Sequence, residues 1–254
     1  MSVKLSAVII TFNEEEHLDK CLSSLENIAD EIVVVDSYSS DGTKTICKRH
    51  RVRFIEQKFL GYKEQKNYAL KQAKYNHILS LDGDEALSDL LKDSVLELKK
   101  KWTKDGYYCS RLNNYCGQWI KHSDWYPDRK LRLFKKSSGH WGGLNPHDKF
   151  ILLPGKTNGQ IKGDLLHWIY SSYAEHNQKI EHFSSIAAKA YRDNGIKSSL
   201  FKILWRPSWA FFKAYFIRLG FLDGYNGWII CVKTFKITYL KYVKLRVLYK
   251  HQKD

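Results

Sequence analysis

The first 105 residues alternate short apolar segments with longer amphipathic ones. The apolar segments are short and rich in β-branched residues, so each predicts a buried strand. The amphipathic segments carry apolar residues at helical spacing, as Leu18, Leu22 and Leu25 do in the first of them. This alternation predicts an α/β fold with a mixed, mostly parallel central sheet flanked by helices. The predicted strands are 4–11, 31–35, 53–55 and 77–81.

The fourth apolar segment ends in an acidic turn, Asp82-Gly83-Asp84-Glu85, with three carboxylates in four residues. In an open α/β sheet, ligands bind at the carboxyl ends of the strands, where this turn would lie. Carboxylates this close repel one another unless a cation lies between them, and Mg²⁺ and Mn²⁺ prefer oxygen ligands. The turn therefore predicts a site for a metal and a diphosphate. The alternative is a solvated turn in which an acidic residue caps the next helix.

Two other predicted strands also end in polar residues that could face a ligand. Thr11 and Asn13 follow the first strand, and Asp36 follows the second. The carboxyl ends of parallel strands meet at one edge of a sheet, so these residues are expected near the acidic turn. Two of them have structural alternatives, because Asn13 could cap a helix and Asp36 could close an Asx-turn or cap a helix.

The charge balance of the chain predicts an anionic partner. There are 42 Lys and Arg residues against 27 Asp and Glu, which gives a formal charge of +15. Such an excess is typical of proteins that bind nucleic acid, a membrane surface or a phosphorylated substrate. The five cysteines are scattered, which argues against a disulfide framework or zinc site and fits a reducing cytosol. No apolar stretch is long enough to predict a signal peptide or a membrane-spanning helix.

The last sixty or so residues mix aromatic and basic side chains at helical spacing. Trp205, Trp209, Phe212 and Phe216 form one stripe, with Lys and Arg residues beside it. Aromatic rings lie well at lipid headgroup depth, and cations favour anionic lipid, so the stripe predicts contact with a membrane surface. The alternative is a pair of helices packed on the preceding domain, with solvated cations. The two are compatible, and we expect both.

Four motifs, in order, resemble those of the inverting family-two glycosyltransferases of GT-A (Rossmann-like) fold. They are Val8–Glu14, Val33–Ser37 with Asp41–Thr43, Gln65–Ala69, and Leu81–Glu85. Four ordered motifs are far more specific than the acidic turn alone. The downstream half is similar to a narrower group, the bacterial lipopolysaccharide inner-core β-glucosyltransferases. The shorter matches to that group are Arg132–Phe134, His140–Gly143, His147-Asp148, Leu166-His167 and Gly220–Gly224.

The resemblance implies a nucleotide sugar donor, UDP-glucose or a similar UDP-hexose, and a divalent metal, Mg²⁺ or Mn²⁺. The metal is expected on Asp84, with Asp82 facing either the metal or the ribose. Asp36 would hydrogen-bond the nucleotide base. The remaining donor contacts are expected from Thr11, Asn13, Glu15, Lys66 and Asn67.

Asp148 is the candidate general base. Inversion by a single displacement needs one carboxylate facing the anomeric carbon from the side opposite the leaving group, and it removes the acceptor proton as the bond forms. The group that the chain resembles usually has His-Glu where this chain has His147-Asp148, so the carboxylate here reaches less far. The alternative is that Asp148 forms an ion pair with Arg129 or Arg132.

The resemblance predicts a GT-A catalytic domain at 1–195 and a helical region at 196–254. Residues 1–105 would bind the nucleotide sugar, and 106–195 would form the acceptor half. We expect an anionic glycolipid acceptor, such as a lipopolysaccharide core, at the cytoplasmic face of the inner membrane, and no nucleic acid. The alternatives are another sugar nucleotide or a polyprenyl-phosphate acceptor. In a different class, the chain could be a non-catalytic basic protein that binds nucleotides or nucleic acid.

Overall fold

The computed structural model describes residues 2–143 and 148–250. The chain divides into two compact units, which are described separately. Unit 1 consists of Met1–Leu112 and Asp128–Trp168, and unit 2 of Asn113–Pro127 and Ile169–Asp254. The predicted domain boundary at residue 195 stays a prediction.

The strands and helices alternate through the first half of the chain, as the sequence pattern predicts. The strands are β1 (Leu5–Thr11), β2 (Glu31–Asp36), β3 (Arg53–Glu56), β4 (His77–Asp82), β5 (Glu85–Leu87), β6 (Gly106–Tyr115), β7 (Gln118–Ile120), β8 (Asp128–Lys135), β9 (Gly139–Gly142), β10 (Lys149–Leu152) and β11 (Asn158–Tyr170). The helices are α1 (Leu18–Ser23), α2 (Thr43–Arg49), α3 (Tyr62–Gln72), α4 (Asp89–Lys100), α5 (Tyr173–Asp193), α6 (Leu200–Phe212) and α7 (Gly224–Lys250).

The main sheet has the strand order β3-β2-β1-β4-β8-β6-β11-β5. Strands β3, β2, β1 and β4 are parallel, whereas β8 is antiparallel to both of its neighbours, β4 and β6. All seven residues of β1 are buried, as expected of a central strand covered on both faces. The predicted fold class is therefore confirmed as a mixed α/β sheet with flanking helices.

Alternate residues of β1 contribute to two separate apolar layers, because successive side chains of a strand point to opposite faces. Leu5 and Ile9 pack in one cluster with Leu22 of α1 and Leu91 of α4. Val8 lies in the other cluster, and its partners include residues of α3 and the aromatic side chains Phe134, Trp141 and Phe150. Packing on both faces holds β1 in place, and with it the sheet edge at which the parallel strands end.

The carboxyl ends of β1, β2 and β4 lie side by side. Thr11 is opposite Asp36 in the ladder of β1 with β2, and Ile10 is opposite Asp82 in the ladder of β1 with β4. The predicted meeting of these strand ends at one edge is therefore confirmed.

The acidic turn leads into a short strand that the sequence pattern does not reveal. Glu85 begins β5, which pairs antiparallel with β11 so that Glu85 lies opposite His167. Helix α4 begins only after β5, and its N-cap is Ser88, whose side chain accepts a hydrogen bond from the backbone N–H of Leu91 at 3.3 Å. The alternative interpretation of the acidic turn, as a helix cap, is therefore wrong.

Unit 2 consists mainly of helices. Its core includes Ala188 of α5, Ile203 of α6, and Tyr242 and Leu245 of α7. Helix α6 continues as a π-helical stretch, Lys213–Ile217, before a short 3₁₀ turn, Gly220–Asp223. Across residues 2–143 and 148–250, none of the helices combines the length and the apolar character that crossing a membrane requires.

Candidate active site

The base-binding candidate, Asp36, is buried at the end of β2, with 1% of its surface exposed. Its carboxylate accepts hydrogen bonds from the backbone N–H of Ser39, at 2.7 Å, and from the hydroxyl of the same residue. The bonded N–H lies three residues after Asp36, so the carboxylate holds the loop after β2 without forming an Asx-turn, in which the N–H lies two residues on. Each carboxylate oxygen has two acceptor positions, so these bonds leave capacity for a ligand donor.

Asn13 and Glu15 hold the loop that follows β2. The amide oxygen of Asn13 accepts a hydrogen bond from the backbone N–H of Ser40 at 2.9 Å, and Glu15 Oε2 accepts one from that of Gly42 at 2.7 Å. A Cβ atom at Gly42 would lie 2.8 Å from Glu15 Oε2, so a larger residue there would displace the Glu15 carboxylate from this hydrogen bond. Asn13 does not cap α1, which begins five residues later, at Leu18. Donor contacts from Asn13 and Glu15 stay a prediction.

Lys66 of α3 joins two carboxylates that are far apart in sequence. Its Nζ atom lies 3.0 Å from Asp82 Oδ1 and 3.0 Å from Asp148 Oδ2. The ammonium group also lies 4.7 Å from the ring centroid of Trp141, within range of a cation–π interaction. The side chain of Lys66 is only 6% exposed. Removing this cation would therefore leave the two negative charges of Asp82 and Asp148 close together in a mostly buried site.

A second cation, Arg132 of β8, neutralises the acidic turn from the other side. Its guanidinium lies 2.8 Å from Asp82 Oδ2 and 2.6 Å from Glu85 Oε1. Glu85 is fully buried, and it also accepts a hydrogen bond from the backbone N–H of Asp82 at 3.0 Å. Burial alone would raise the pKa of Asp82, but Lys66 and Arg132 outweigh it and hold that pKa far below its ordinary value.

This network corrects the prediction that the acidic turn needs a bound metal to separate its charges. Arg132 and Lys66 already balance the charge of Asp82. Glu85 forms a buried ion pair with Arg132 and does not face a ligand. The roles of Asp82 toward the metal or the ribose stay predictions.

Asp84 is the acid of the turn that remains for a metal. Its Oδ2 atom lies 3.3 Å from Nε2 of His167, and its side chain is 25% exposed. Within the described ranges, no group of three or more His, Cys, Asp or Glu side chains could hold a metal by itself. One carboxylate beside an imidazole fits an ion that takes most of its oxygen ligands from a diphosphate. The donor set therefore fits Mg²⁺ or Mn²⁺ bound together with a nucleotide.

Gly83 is required by the packing of the turn itself. A Cβ atom there would lie 2.9 Å from Thr11 Oγ1 and 3.2 Å from Glu14 Cγ. Thr11 is 5% exposed, and no hydrogen-bond partner of its hydroxyl is found in the part of the chain that the structure describes. A buried hydroxyl at a strand end is suited to a ligand contact, because an unpaired polar group is costly.

The side chain of Asn67 hydrogen-bonds the protein backbone and does not point into the solvent. Its amide nitrogen donates to the carbonyl of Trp141 at 2.8 Å, and its amide oxygen accepts from the N–H of the same residue at 3.0 Å. These two bonds fix β9 against α3 and place the Trp141 ring beneath Lys66. The donor contact predicted for Asn67 stays a prediction.

Asp148, the candidate base, lies beside the acidic turn. Its ion-pair partner is Lys66, so the alternative pairing with Arg129 or Arg132 is not the one observed. Its side chain is 5% exposed. The preceding residue, His147, lies outside the described residues.

The sequence pattern missed three contributors to this cluster. From the sequence alone, Arg132 appears only in a motif and as a possible partner of Asp148, Glu85 only as one of three acids, and Trp141 only as part of a motif. The signals that could have found them are a charged residue between the apolar Leu131 and Leu133 of β8, and an aromatic residue in a glycine-rich stretch.

Comparisons with known proteins show the family of the chain. The chain matches the family model described as glycosyl transferase family 2 over residues 6–152. An uncharacterized glycosyltransferase of Rickettsia felis is 30% identical over 261 residues, which cover 96% of this chain and 89% of the relative. The lipopolysaccharide core biosynthesis glycosyltransferase LpsC of Rhizobium meliloti is 30% identical over 226 residues, covering 87% of this chain and 82% of LpsC.

A solved structure supports the fold. The mannosyltransferase PcManGT of Pyrobaculum calidifontis, in complex with GDP-Man and Mn²⁺, aligns with a TM-score of 0.58. The alignment covers 96% of this chain and 87% of that protein at 16% identity. At this identity the likeness shows the fold, which is GT-A as predicted.

Proposed function

Because this chain belongs to glycosyl transferase family 2, we propose that it transfers a hexose with inversion from a nucleotide diphosphate sugar to a lipid-linked core oligosaccharide. The donor we propose is UDP-glucose. The observation that carries the proposal is the position of Lys66, which gathers Asp82 and Asp148 at the sheet edge where Asp84 also lies. Because the protein is a glycosyltransferase, the predicted alternative of a non-catalytic binding protein is excluded.

We assign the general base to Asp148. A sugar hydroxyl is a poor acid, so its proton has to leave as the new bond forms. Lys66 contacts Oδ2 of this carboxylate, and we assign the proton to the other oxygen, Oδ1. The carboxylate is the form that accepts a proton, and the contact with Lys66 fixes its orientation.

The donor would lie along the ends of β1, β2 and β4. Asp36 accepts hydrogen bonds and suits the N–H of uracil, and Thr11 offers a buried hydroxyl nearby. Asp84, with His167 beside it, would hold a Mg²⁺ or Mn²⁺ ion. When bound, such an ion supplies Lewis-acid stabilisation of the leaving diphosphate. PcManGT binds GDP-Man with Mn²⁺, and guanine also offers N–H donors, so GDP-mannose is the competing donor.

The acceptor we propose is an anionic lipopolysaccharide core. LpsC is named as a lipopolysaccharide core biosynthesis enzyme, and its alignment runs over most of both chains. The formal charge of +15 favours a phosphorylated acceptor over a neutral one. Such an acceptor would place the enzyme at the cytoplasmic face of the inner membrane.

The test is a screen of nucleotide sugars for hydrolysis in the presence of Mn²⁺, which needs no acceptor. We expect UDP-glucose to be cleaved faster than other UDP-hexoses and than GDP-mannose. Cleavage of GDP-mannose alone would reject the donor, and cleavage of none would reject the proposed chemistry. Adding phosphorylated and dephosphorylated core oligosaccharide then tests the acceptor, since only the phosphorylated form should accept the sugar.

A further inference from the structure

The exposed apolar side chains of the described residues are concentrated in one short stretch of unit 2. Of 28 large hydrophobic side chains that are exposed, 16 lie between Leu200 and Tyr239. A soluble surface carries such side chains singly, and a contiguous patch marks an interaction site. The stretch is therefore a candidate interaction surface.

The centre of this patch is a row of aromatic rings on α6 and its π-helical continuation, which we call the α6 ladder. Successive rings are 5.2 to 6.3 Å apart between centroids. The opposite side of the helix is buried through Ile203 and Pro207, so the row points outward from a packed helix. At 1.5 Å per residue the ladder is about 22 Å long. Its members are Phe201, Trp205, Trp209, Phe212 and Phe216.

The ladder borders an apolar groove of about 520 Å³ between α6 and α7. Trp205, Trp209 and Phe212 line one side, and Phe235 of α7 lines the other. The groove lies entirely within unit 2. Its size and apolar walls suit a segment of a hydrocarbon chain rather than a polar ligand.

The segment that carries the ladder is mostly positive, although two of its cations, Lys213 and Arg218, lie 3.2 and 3.4 Å from Asp124 of the same unit. Residues 196–250 contain eleven Lys and Arg residues and one acid, Asp223. Asp223 is 5% exposed and accepts hydrogen bonds from the backbone N–H groups of Lys121 and His122 at 3.1 and 2.9 Å, so its charge is used inside unit 2. The surface of this segment therefore favours an anionic partner.

The structure distinguishes cations that are bound within unit 2 from cations that stay exposed, which the sequence could not do. Several cations of α7 are bound within unit 2: Lys233 donates to the carbonyl of Tyr173 at 2.9 Å, and Lys244 lies 2.8 Å from Glu181 Oε2. These cations of α7 therefore hold it against α5. By contrast, Arg206 is exposed beside the ladder. The exposed face of α6, rather than α7, is the candidate for docking.

We propose that the α6 ladder docks on the surface of an anionic phospholipid bilayer, with the helix lying parallel to the membrane plane. This inference rests on the proposed function in one respect, the expectation of a lipid-linked acceptor. It adds which surface of the protein contacts the membrane. Stacked aromatic rings match the headgroup depth, and the cations match anionic lipid. A second copy of the chain is a poorer occupant, because two strongly positive segments would repel each other.

The test is sedimentation of the full chain with vesicles of phosphatidylglycerol and phosphatidylcholine, compared with phosphatidylcholine alone. We expect binding to the anionic vesicles that weakens with salt. The double substitution Trp205→Ala, Trp209→Ala should weaken binding by at least about tenfold, because two large apolar side chains no longer enter the interface. The matched control, Leu90→Ala with Leu96→Ala, removes exposed apolar side chains from α4 and should bind as the unaltered chain does.

Donor hydrolysis in solution should be unchanged in both double variants, so failure of the proposed chemistry and failure of this inference are distinguishable. Quenching of tryptophan fluorescence in the unaltered chain by brominated phosphatidylglycerol gives a second measurement, independent of any variant. Absence of quenching overturns the proposal, as does equal vesicle binding by the ladder variant. Lipid-free dimers that the ladder substitutions dissociate, or binding of the ladder to nucleic acid but not to vesicles, would overturn it too.

Discussion

The Nζ atom of Lys66 lies 3.0 Å from Oδ2 of Asp148, and the two side chains are 6% and 5% exposed. This ion pair joins α3 to the residue that precedes β10. The same ammonium group holds Asp82, so one cation organises acids from two separate parts of the chain. If Asp148 is the base, its position depends on Lys66.

The substitution Asp148→Asn tests the base directly. We expect the rate of sugar transfer to fall by about 10² to 10⁴, the usual contribution of a general base. UDP binding should persist, because the assigned donor contacts lie at the ends of β1, β2 and β4. Steady-state transfer rates and calorimetric UDP titration check the two halves of this prediction. An active Asp148→Asn enzyme would place the base elsewhere.

The coupling between Lys66 and Asp148 can be measured by a double-mutant cycle. Lys66→Met leaves Asp82 and Asp148 without their shared cation, so we expect the free energy of unfolding to fall by about 3 kcal/mol. In the Asp148→Asn background the same change should cost less, since one of the two carboxylates is gone. Urea unfolding of the four proteins gives the coupling energy, and strict additivity would contradict the ion pair.

The sequence predicts the place of the acidic turn but not its neutralisation. Hydropathy alone locates the ends of β1, β2 and β4, because a buried central strand is an unbroken apolar run. The partners of Asp82 are different: Lys66 is 16 residues away and Arg132 is 50 residues away. Contacts over such separations depend on strand order and helix packing, which a single sequence does not encode locally.

The helical region shows the same limit. The aromatic stripe at 205–216 follows from helical spacing, and the structure places it on the exposed face of α6. Nothing in the spacing reveals that Lys233 and Lys244 of α7 bind within unit 2, because their acceptors belong to α5. Strand β5 was missed because three residues are too few for a periodic signal.

The substitution Asp84→Asn tests the metal. Loss of the carboxylate charge should abolish the dependence of UDP binding on Mn²⁺ and lower transfer by at least about tenfold. Removing the ion with EDTA should have the same effect on the unaltered enzyme. Calorimetry with and without Mn²⁺ measures both. The neighbouring change Glu16→Gln, at an exposed acid, serves as the control, and Mn²⁺-dependent UDP binding that survives in Asp84→Asn would refute the assignment.

The buried pair of Arg132 and Glu85 makes a prediction about stability. Arg132→Leu removes the nearer of the two cations that pair with the buried Glu85 and leaves only Arg111, at 3.4 Å, so we expect a loss of about 3 kcal/mol in the free energy of unfolding. Arg129→Leu, at an exposed position on the same strand, should cost less than about 0.5 kcal/mol. Urea titration separates the two. Similar losses from both substitutions would mean that the ion pair is unimportant.

His176 predicts how the stability of unit 2 varies with pH. It stacks on Tyr170 at 4.2 Å between ring centroids, and burial, followed by repulsion from Lys233 and Lys179, lowers its pKa to about 3. The model-peptide value is 6.5, so between pH 6.5 and 3 the unfolded chain holds a proton on this residue that the folded chain lacks. The stability that His176 contributes is therefore present above pH 6.5 and is lost as the pH falls toward 3, by at most about 1.4 kcal/mol per pH unit.

The substitution His176→Gln isolates this effect, because glutamine can still hydrogen-bond the hydroxyl of Tyr115 but does not titrate. Unfolding free energies of the two proteins, measured from pH 8 to pH 3, should change in parallel above pH 6.5. Below that value the unaltered chain should lose stability faster than the variant. Other buried histidines with lowered pKa values, such as His17, are present in both proteins and cancel in the difference. Parallel curves over the whole range would show that His176 does not set the acid sensitivity.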